Sequence, residues 1–288
     1  MIESFWKGTI TTLIDWRRTP RTPHLADGDA HVWRIAIGSA VLAQPYWSVL
    51  CPDERARALR FLDDAHRAAY VRAHGAMRMI LAGYVSSTPE ALRFQHGTFG
   101  KPSLAPDGNV GPLQFNLSDA GDLALLAVAR NRAVGIDIAR QDALADHAGI
   151  AERFFSLLER RSLRSSAGTP ERTRDAFYSA WTRKEAYVKA TGRGLSRGLD
   201  HFDVSMAQGE PPALNADRLD VDAPSRWTMI DLKAQDGYSA ALVVAKPVGD
   251  VALFDAPAFE TMPWMSRSEP ASRQAPQASA IPNNTSTM

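Results

Sequence analysis

The sequence predicts an α+β fold made of two α+β halves, 31–131 and 132–256, with a leader over 1–30 and a disordered tail over 257–288. Three observations predict it. The apolar pattern switches between a period of two residues and one of about 3.6. The order strand, helices, strands is completed once before residue 132 and begins again after it. Gly- and Pro-rich connections separate the periodic stretches.

Each element has a local reason. Residues 17–29, "RRTPRTPHLADGD", carry two prolines and many charges without apolar periodicity, and read as an extended leader. Residues 31–37, "HVWRIAI", alternate as a strand does. A single helical pattern then runs from Pro52 to about Val85, opened by a proline whose missing N–H would lack a partner in the first turn anyway. After the loop "FGKPSLAPDGNVGP" come two short apolar runs, 113–117 and 123–129, separated by "SDAGD". Asn131-Arg132 reads as a tight connection into 133–139, "AVGIDIA", giving an antiparallel hairpin. Helical pattern returns over 146–164 and 171–190, and strands over 227–232 and 238–245 close the core. From about Pro257 the composition is Pro, Ser, Ala, Gln and Asn, with little to bury.

Composition narrows the function. A formal net charge of +1, from 33 Lys plus Arg against 32 Asp plus Glu, gives no global attraction to nucleic acid or to an anionic membrane. One cysteine, Cys51, rules out an intramolecular disulfide and a Cys-rich zinc site, and a reducing, cytoplasmic setting is expected. No stretch has the length and apolarity of a membrane span.

Two features stand out chemically. In the strand over 133–139, Val134, Ile136 and Ile138 share one face while Gly135, Asp137 and Ala139 share the other, so a carboxylate stands on an otherwise apolar strand. It reads either as a carboxylate that caps a turn or pairs with an arginine, or as a metal ligand. In "AWTRKEAYVKATGRGL", Phe177, Trp181 and Val188 mark a core-facing stripe, with Lys184, Glu185 and Lys189 along an adjoining edge. Here the alternatives are a solvated i, i+4 pair of Glu185 and Lys189 or a functional edge. Two carboxylates permit Mg²⁺, which takes one or two of them and completes its shell with water and phosphate oxygens.

Together, "FGKP", "FNLSDAGDLALLAVA", "VGIDIA" and "WTRKEAYVKATGRGL" stand in the order and approximate spacing of the surfactin-type phosphopantetheinyl transferases, and the resemblance runs from about residue 50 to 245. It implies a pseudo-twofold monomer that binds coenzyme A and Mg²⁺ between its halves. The reaction it implies moves 4'-phosphopantetheine onto a serine of an acyl, peptidyl or aryl carrier protein of fatty-acid, polyketide or nonribosomal-peptide synthesis. By position, Asp137 and Glu185 resemble the metal ligands, with Glu185 also a candidate base. Lys189 resembles the phosphate-contacting lysine that assists the leaving group, and Lys184 the lysine preceding the metal-binding Glu. Gly100, Lys101 and Pro102 resemble the loop against the adenine end, and Ser118 the serine beside the nucleotide phosphates.

The chain departs from the family pattern at three places. Asp119 stands where a phosphate-contacting histidine is usual; at about 4 Å in an effective dielectric near 20, a carboxylate there would oppose a phosphate by on the order of 4 kcal/mol. Ala139 stands where many members have a second acid, so that Asp119 is a candidate replacement ligand or, alternatively, a turn cap. Ala69 stands where an arginine is common, leaving Arg67 or Arg72 as candidates for the 3'-phosphate and Arg55, Arg57 and Arg60 as further ones, each with a solvated basic face as the alternative. "GRGLSRG" follows a helix and reads as helix termination, not a dinucleotide loop. Neither zinc-type histidine spacing nor a GxSxG elbow is present. Competing readings are a non-catalytic coenzyme A or carrier-binding homologue and a Mg²⁺-dependent pyrophosphate hydrolase.

Overall fold

The structure, a computed structural model, describes residues 15–19, 24–105, 112–142, 146–165, 168–194, 198–206 and 209–262. It is α+β, as the alternating periods predict. The first sheet contains β1 (Trp16–Arg18), β2 (Ala30–Ala36), β5 (Leu113–Ala120), β6 (Leu123–Arg130) and β12 (Val251–Asp255), in the order β1-β12-β2-β6-β5. Helices α1 (Gln44–Val49), α2 (Pro52–Ala58) and α3 (Asp64–Val85) supply the layer against it. A second sheet, β10-β11-β7, comprises β7 (Val134–Arg140), β10 (Trp227–Asp231) and β11 (Tyr238–Ala245). Helices α4 (His147–Phe154), α5 (Leu157–Ser165) and α6 (Pro170–Thr191) stand on its side of the molecule. Two small ladders, β3 (Phe94–His96) with β4 (Pro102–Leu104) and β8 (Phe202–Val204) with β9 (Leu214–Asp217), and the short helix α7 (Ala223–Arg226) complete it.

The same connection scheme occurs twice. In β2-β6-β5 and in β7-β11-β10 the first strand pairs antiparallel with the third and the third with the second. A helix of 22 residues, α3 or α6, is inserted between first and second strands in each case. The two sheets meet face to face: Val32, Leu125 and Ala127 of one join Val134, Ile136 and Leu242 of the other in a fully buried apolar layer. Central strand β6 is buried on both faces, which is why its sequence is a continuous apolar run and not an alternating one.

Several local expectations are corrected. The helical pattern of 52–85 is two helices, because Asp63 is extended and its carboxylate accepts the His66 N–H at 2.8 Å, capping a new start. The pattern of 146–164 also breaks, at Ser156, where Ser156 and Glu159 exchange backbone-to-side-chain bonds at 2.9 and 3.2 Å in a capping box. The hairpin expected across Asn131-Arg132 does not form. Both edges of β6 are already occupied, by β2 and β5, so the chain crosses to the other sheet and β7 pairs with β11. Part of the presumed leader is structural: Trp16–Arg18 adds a parallel edge strand beside β12, and Leu25 is buried in the first core. Residues 257–262 of the presumed tail also pack, with Phe259 edge-on to Tyr46 and Met262 buried; the remainder of the tail lies outside the described residues.

Candidate active site

The site begins where the two sheets abut. Strands β5 and β7 lie side by side without a backbone ladder. Instead the Asn116 side-chain oxygen accepts the Ile136 N–H at 2.8 Å, substituting for the missing ladder bond. Two residues on along the same strand face, Ser118 Oγ donates to Asp137 Oδ1 at 2.9 Å. Asp137 is thus aimed by a neighbouring strand from the other sheet.

Helix α6 covers that spot because β7 carries a glycine. A Cβ on Gly135 would lie 2.8 Å from the Ala190 Cα and would collide with the Ala186 carbonyl, so only glycine admits the helix this closely. Thr169 caps α6 and Pro170 opens it, while Gly192, at φ 65°, ends it as the sequence suggests. Its close approach brings Lys189 Nζ to 2.5 Å from Asp137 Oδ1 and 2.8 Å from Ser118 Oγ. Glu185, one turn earlier, is half-buried, and no described residue donates a hydrogen bond to its carboxylate.

Electrostatics tie the two acids together. Burial raises the Asp137 carboxyl above the ordinary carboxylate range, opposed by the charge and hydrogen bond of Lys189 and by Ser118. Burial also raises Glu185, and the negative charge of Asp137 raises it further, against the opposing pull of Lys189. These are two hard oxygen donors from different elements, close enough that the charge of Asp137 disfavours the ionised form of Glu185, and Lys189 supplies a positive charge to both. A divalent cation relieves the same repulsion. Among the described residues no third His, Cys, Asp or Glu joins them, so the donor set suits an ion that takes its remaining ligands from water and phosphate.

Other candidate residues are placed elsewhere. Lys184 is fully buried, its ammonium bonded at 2.7 Å to both Glu159 oxygens and to the Phe202 carbonyl. With all three protons engaged it is a core ion pair and is not brought to the Asp137 cluster, contrary to the shared edge with Glu185 and Lys189 that periodicity suggests. Alternation along β5 turns Asn116 and Ser118 toward β7, whereas Leu113, Phe115 and Leu117 face the first core; Asp119 follows the latter set and is exposed. It does not join Asp137 as the missing acid. Ala139 packs beneath α6. Arg55 donates to the Ser48 carbonyl at 2.8 Å, and Arg67 to Asp64 at 2.6 Å and the Phe61 carbonyl at 2.9 Å, all within the first helical layer. Gly100, at φ 82°, makes the β3–β4 turn, Pro102 begins β4, and Lys101 reaches the carbonyls of Val134 and Ala190. Asn116 carries no charge or motif that marks it in the sequence, although its i, i+2 spacing to Ser118 signals a shared strand face.

A strand acid, a helix acid and a lysine thus meet where the two sheets abut, an arrangement that suits a cation together with phosphate oxygens. Residues 133–243 match the model of the 4'-phosphopantetheinyl transferase superfamily. The chain is 34% identical over 231 residues to the 4'-phosphopantetheinyl transferase HetI of a Nostoc species, covering 80% of this chain and 93% of that protein. It is 28% identical over 207 residues to the 4'-phosphopantetheinyl transferase Sfp of Bacillus subtilis, covering 70% and 85%. Over 258 residues it is 26% identical to a human L-aminoadipate-semialdehyde dehydrogenase-phosphopantetheinyl transferase, covering 84% and 81%. The chain belongs to the 4'-phosphopantetheinyl transferase superfamily and is an enzyme of that class.

Proposed function

We propose that this protein transfers the 4'-phosphopantetheine of coenzyme A to a serine of an acyl, peptidyl or aryl carrier protein, releasing 3',5'-ADP, with Mg²⁺ held by Asp137 and Glu185. The observation that carries the proposal is the convergence of Asp137, Ser118 and Lys189 within hydrogen-bond distance, with Glu185 electrostatically coupled to Asp137. Bound there, the ion offsets negative charge developing on the diphosphate.

The residues then divide the work. Glu185, the carboxylate that α6 presents at the site, takes the proton from the acceptor serine hydroxyl. The serine oxygen forms its bond to the phosphorus that carries pantetheine as the diphosphate P–O bond breaks. Lys189 has two of its three protons on Asp137 and Ser118, leaving one for the oxygen that departs with 3',5'-ADP. Ser118 fixes the Asp137 rotamer and accepts from Lys189. The pseudo-twofold relation of the halves, a monomeric state and a cytoplasmic setting belong to the same proposal; no helix among the described residues is long and apolar enough to cross a membrane.

Intact-mass measurement of an apo carrier protein incubated with enzyme, coenzyme A and Mg²⁺ tests the reading. Addition of one phosphopantetheine, absent without Mg²⁺, is expected. Coenzyme A binding without transfer would instead mark a non-catalytic homologue, and coenzyme A breakdown without carrier modification a hydrolase.

A further inference from the structure

The β3–β4 hairpin belongs to the first half of the chain, yet its lysine penetrates the second. Lys101 Nζ donates to the Val134 carbonyl at 2.8 Å and to the Ala190 carbonyl at 3.3 Å. Val134 is the first residue of β7, three before Asp137, and Ala190 follows Lys189 in the last turn of α6. One ammonium therefore bridges the strand bearing Asp137 and the helix bearing Glu185 and Lys189, beside the contact that Gly135 permits. The turn of the hairpin is seated there: a Cβ on Gly192 would meet Lys101 Cδ at 3.5 Å, and one on Gly194 would meet Phe99 Cβ at 3.3 Å. The carboxyl end of a helix favours a cation at this place. Burial nevertheless pulls the Lys101 pKa down to about 8, so the fold holds a charge where solvation disfavours it.

We propose that Lys101 is a positioning residue: by tying the Val134 and Ala190 carbonyls together it sets the separation of β7 and α6, and with it the alignment of Asp137 against Glu185 and Lys189, and its ammonium does not contact coenzyme A. The inference rests on the proposed transfer reaction, in which that alignment matters, and differs from the adenine-side role that family resemblance implies for the same residue.

The full-length Lys101→Met variant separates these roles. Positioning predicts a fall in kcat of on the order of tenfold to a hundredfold with KM for coenzyme A within about twofold of wild type. The melting temperature should be unchanged or higher, because a buried ammonium has been removed. Without any ligand, backbone hydrogen exchange over 134–140 and 186–191 should be faster. A raised KM with unchanged kcat would show direct substrate contact and overturn the proposal, as would unchanged exchange. A lower melting temperature with activity lost in proportion to unfolding would reduce Lys101 to a stabilising residue. Should Lys101→Met fail to fold, Lys101→Gln carries the same expectations, and failure of both overturns the proposal. If the wild-type protein modifies no carrier, the reaction is wrong and the exchange measurement alone decides whether the bridge exists.

Discussion

Replacing Gly135 by alanine puts a methyl group into the narrowest contact between β7 and α6. Its carbon would sit 2.8 Å from the Ala190 Cα, whereas carbon atoms in contact settle at about 3.5–4.0 Å, so strand and helix must separate by roughly 0.7–1.2 Å. Neither neighbour can yield by rotating a side chain, because the opposing atoms are backbone. Overpacking of this kind costs about 1–3 kcal/mol. The same shift carries Lys189 away from Asp137, now 2.5 Å apart, and misplacement of about 1 Å at a reacting centre lowers turnover by on the order of a hundredfold. Urea unfolding and steady-state transfer to an apo carrier protein read the two effects. Activity should fall much further than the loss of folded protein accounts for. A Gly135→Ala variant with wild-type urea midpoint and wild-type kcat would refute the claim that this glycine sets the geometry of the site.

Two further outcomes follow from buried groups away from the reaction. His31, wedged against Phe254 and bonded through Nδ1 to the Tyr84 hydroxyl at 2.7 Å, has its pKa lowered by burial to about 4. The native state then binds fewer protons than the unfolded chain between pH 6.5 and 4; the stability tied to His31 is whole above pH 6.5 and lost as pH falls to 4, by about 3 kcal/mol in all. Denaturant midpoints measured across that window should fall, and His31→Gln should flatten the dependence; an equal slope in the variant would contradict it. Lys184→Met, which strands the buried Glu159 carboxylate, should destabilise the fold by about 3–5 kcal/mol, with Lys184→Met/Glu159→Gln recovering part of it in urea unfolding. A mild Lys184→Met paired with a raised KM for coenzyme A would instead return Lys184 to the binding site.

Most of the elements are legible in the sequence, as are the two acids proposed to hold the ion, for reasons that differ by residue. Asp137 stands out because a charged side chain on an otherwise apolar strand needs a partner, which a turn, an arginine or a metal could each supply, and its placement under α6 follows from strand alternation. Lys184 and Lys189 are alike in charge, although five residues place them about 140° apart around α6. What separates them is Glu159, which lies 25 residues from Lys184 in sequence and captures its ammonium in the core. The helix breaks at Asp63 and Ser156 carried readable capping signals that a long apolar period outweighed. Edge occupancy was not readable: whether β7 could pair with β6 depended on β2 and β5 already holding both sides. Strand β1 is beyond local inference for the same reason, since its partner β12 lies at the far end of the folded chain.

The claim beneath the proposed reaction is that Asp137 and Glu185 hold one cation between them. Calorimetric Mg²⁺ titration of the coenzyme A-saturated protein, run on wild type, Asp137→Asn, Glu185→Gln and the double variant, tests it without turnover. Each single substitution should weaken binding tenfold or more, and the double variant should lose clearly less than the two losses combined, because a ligand pair serving one ion is coupled. Additive losses, or a Glu185→Gln variant that binds Mg²⁺ as wild type does, would mean that the two carboxylates do not share an ion.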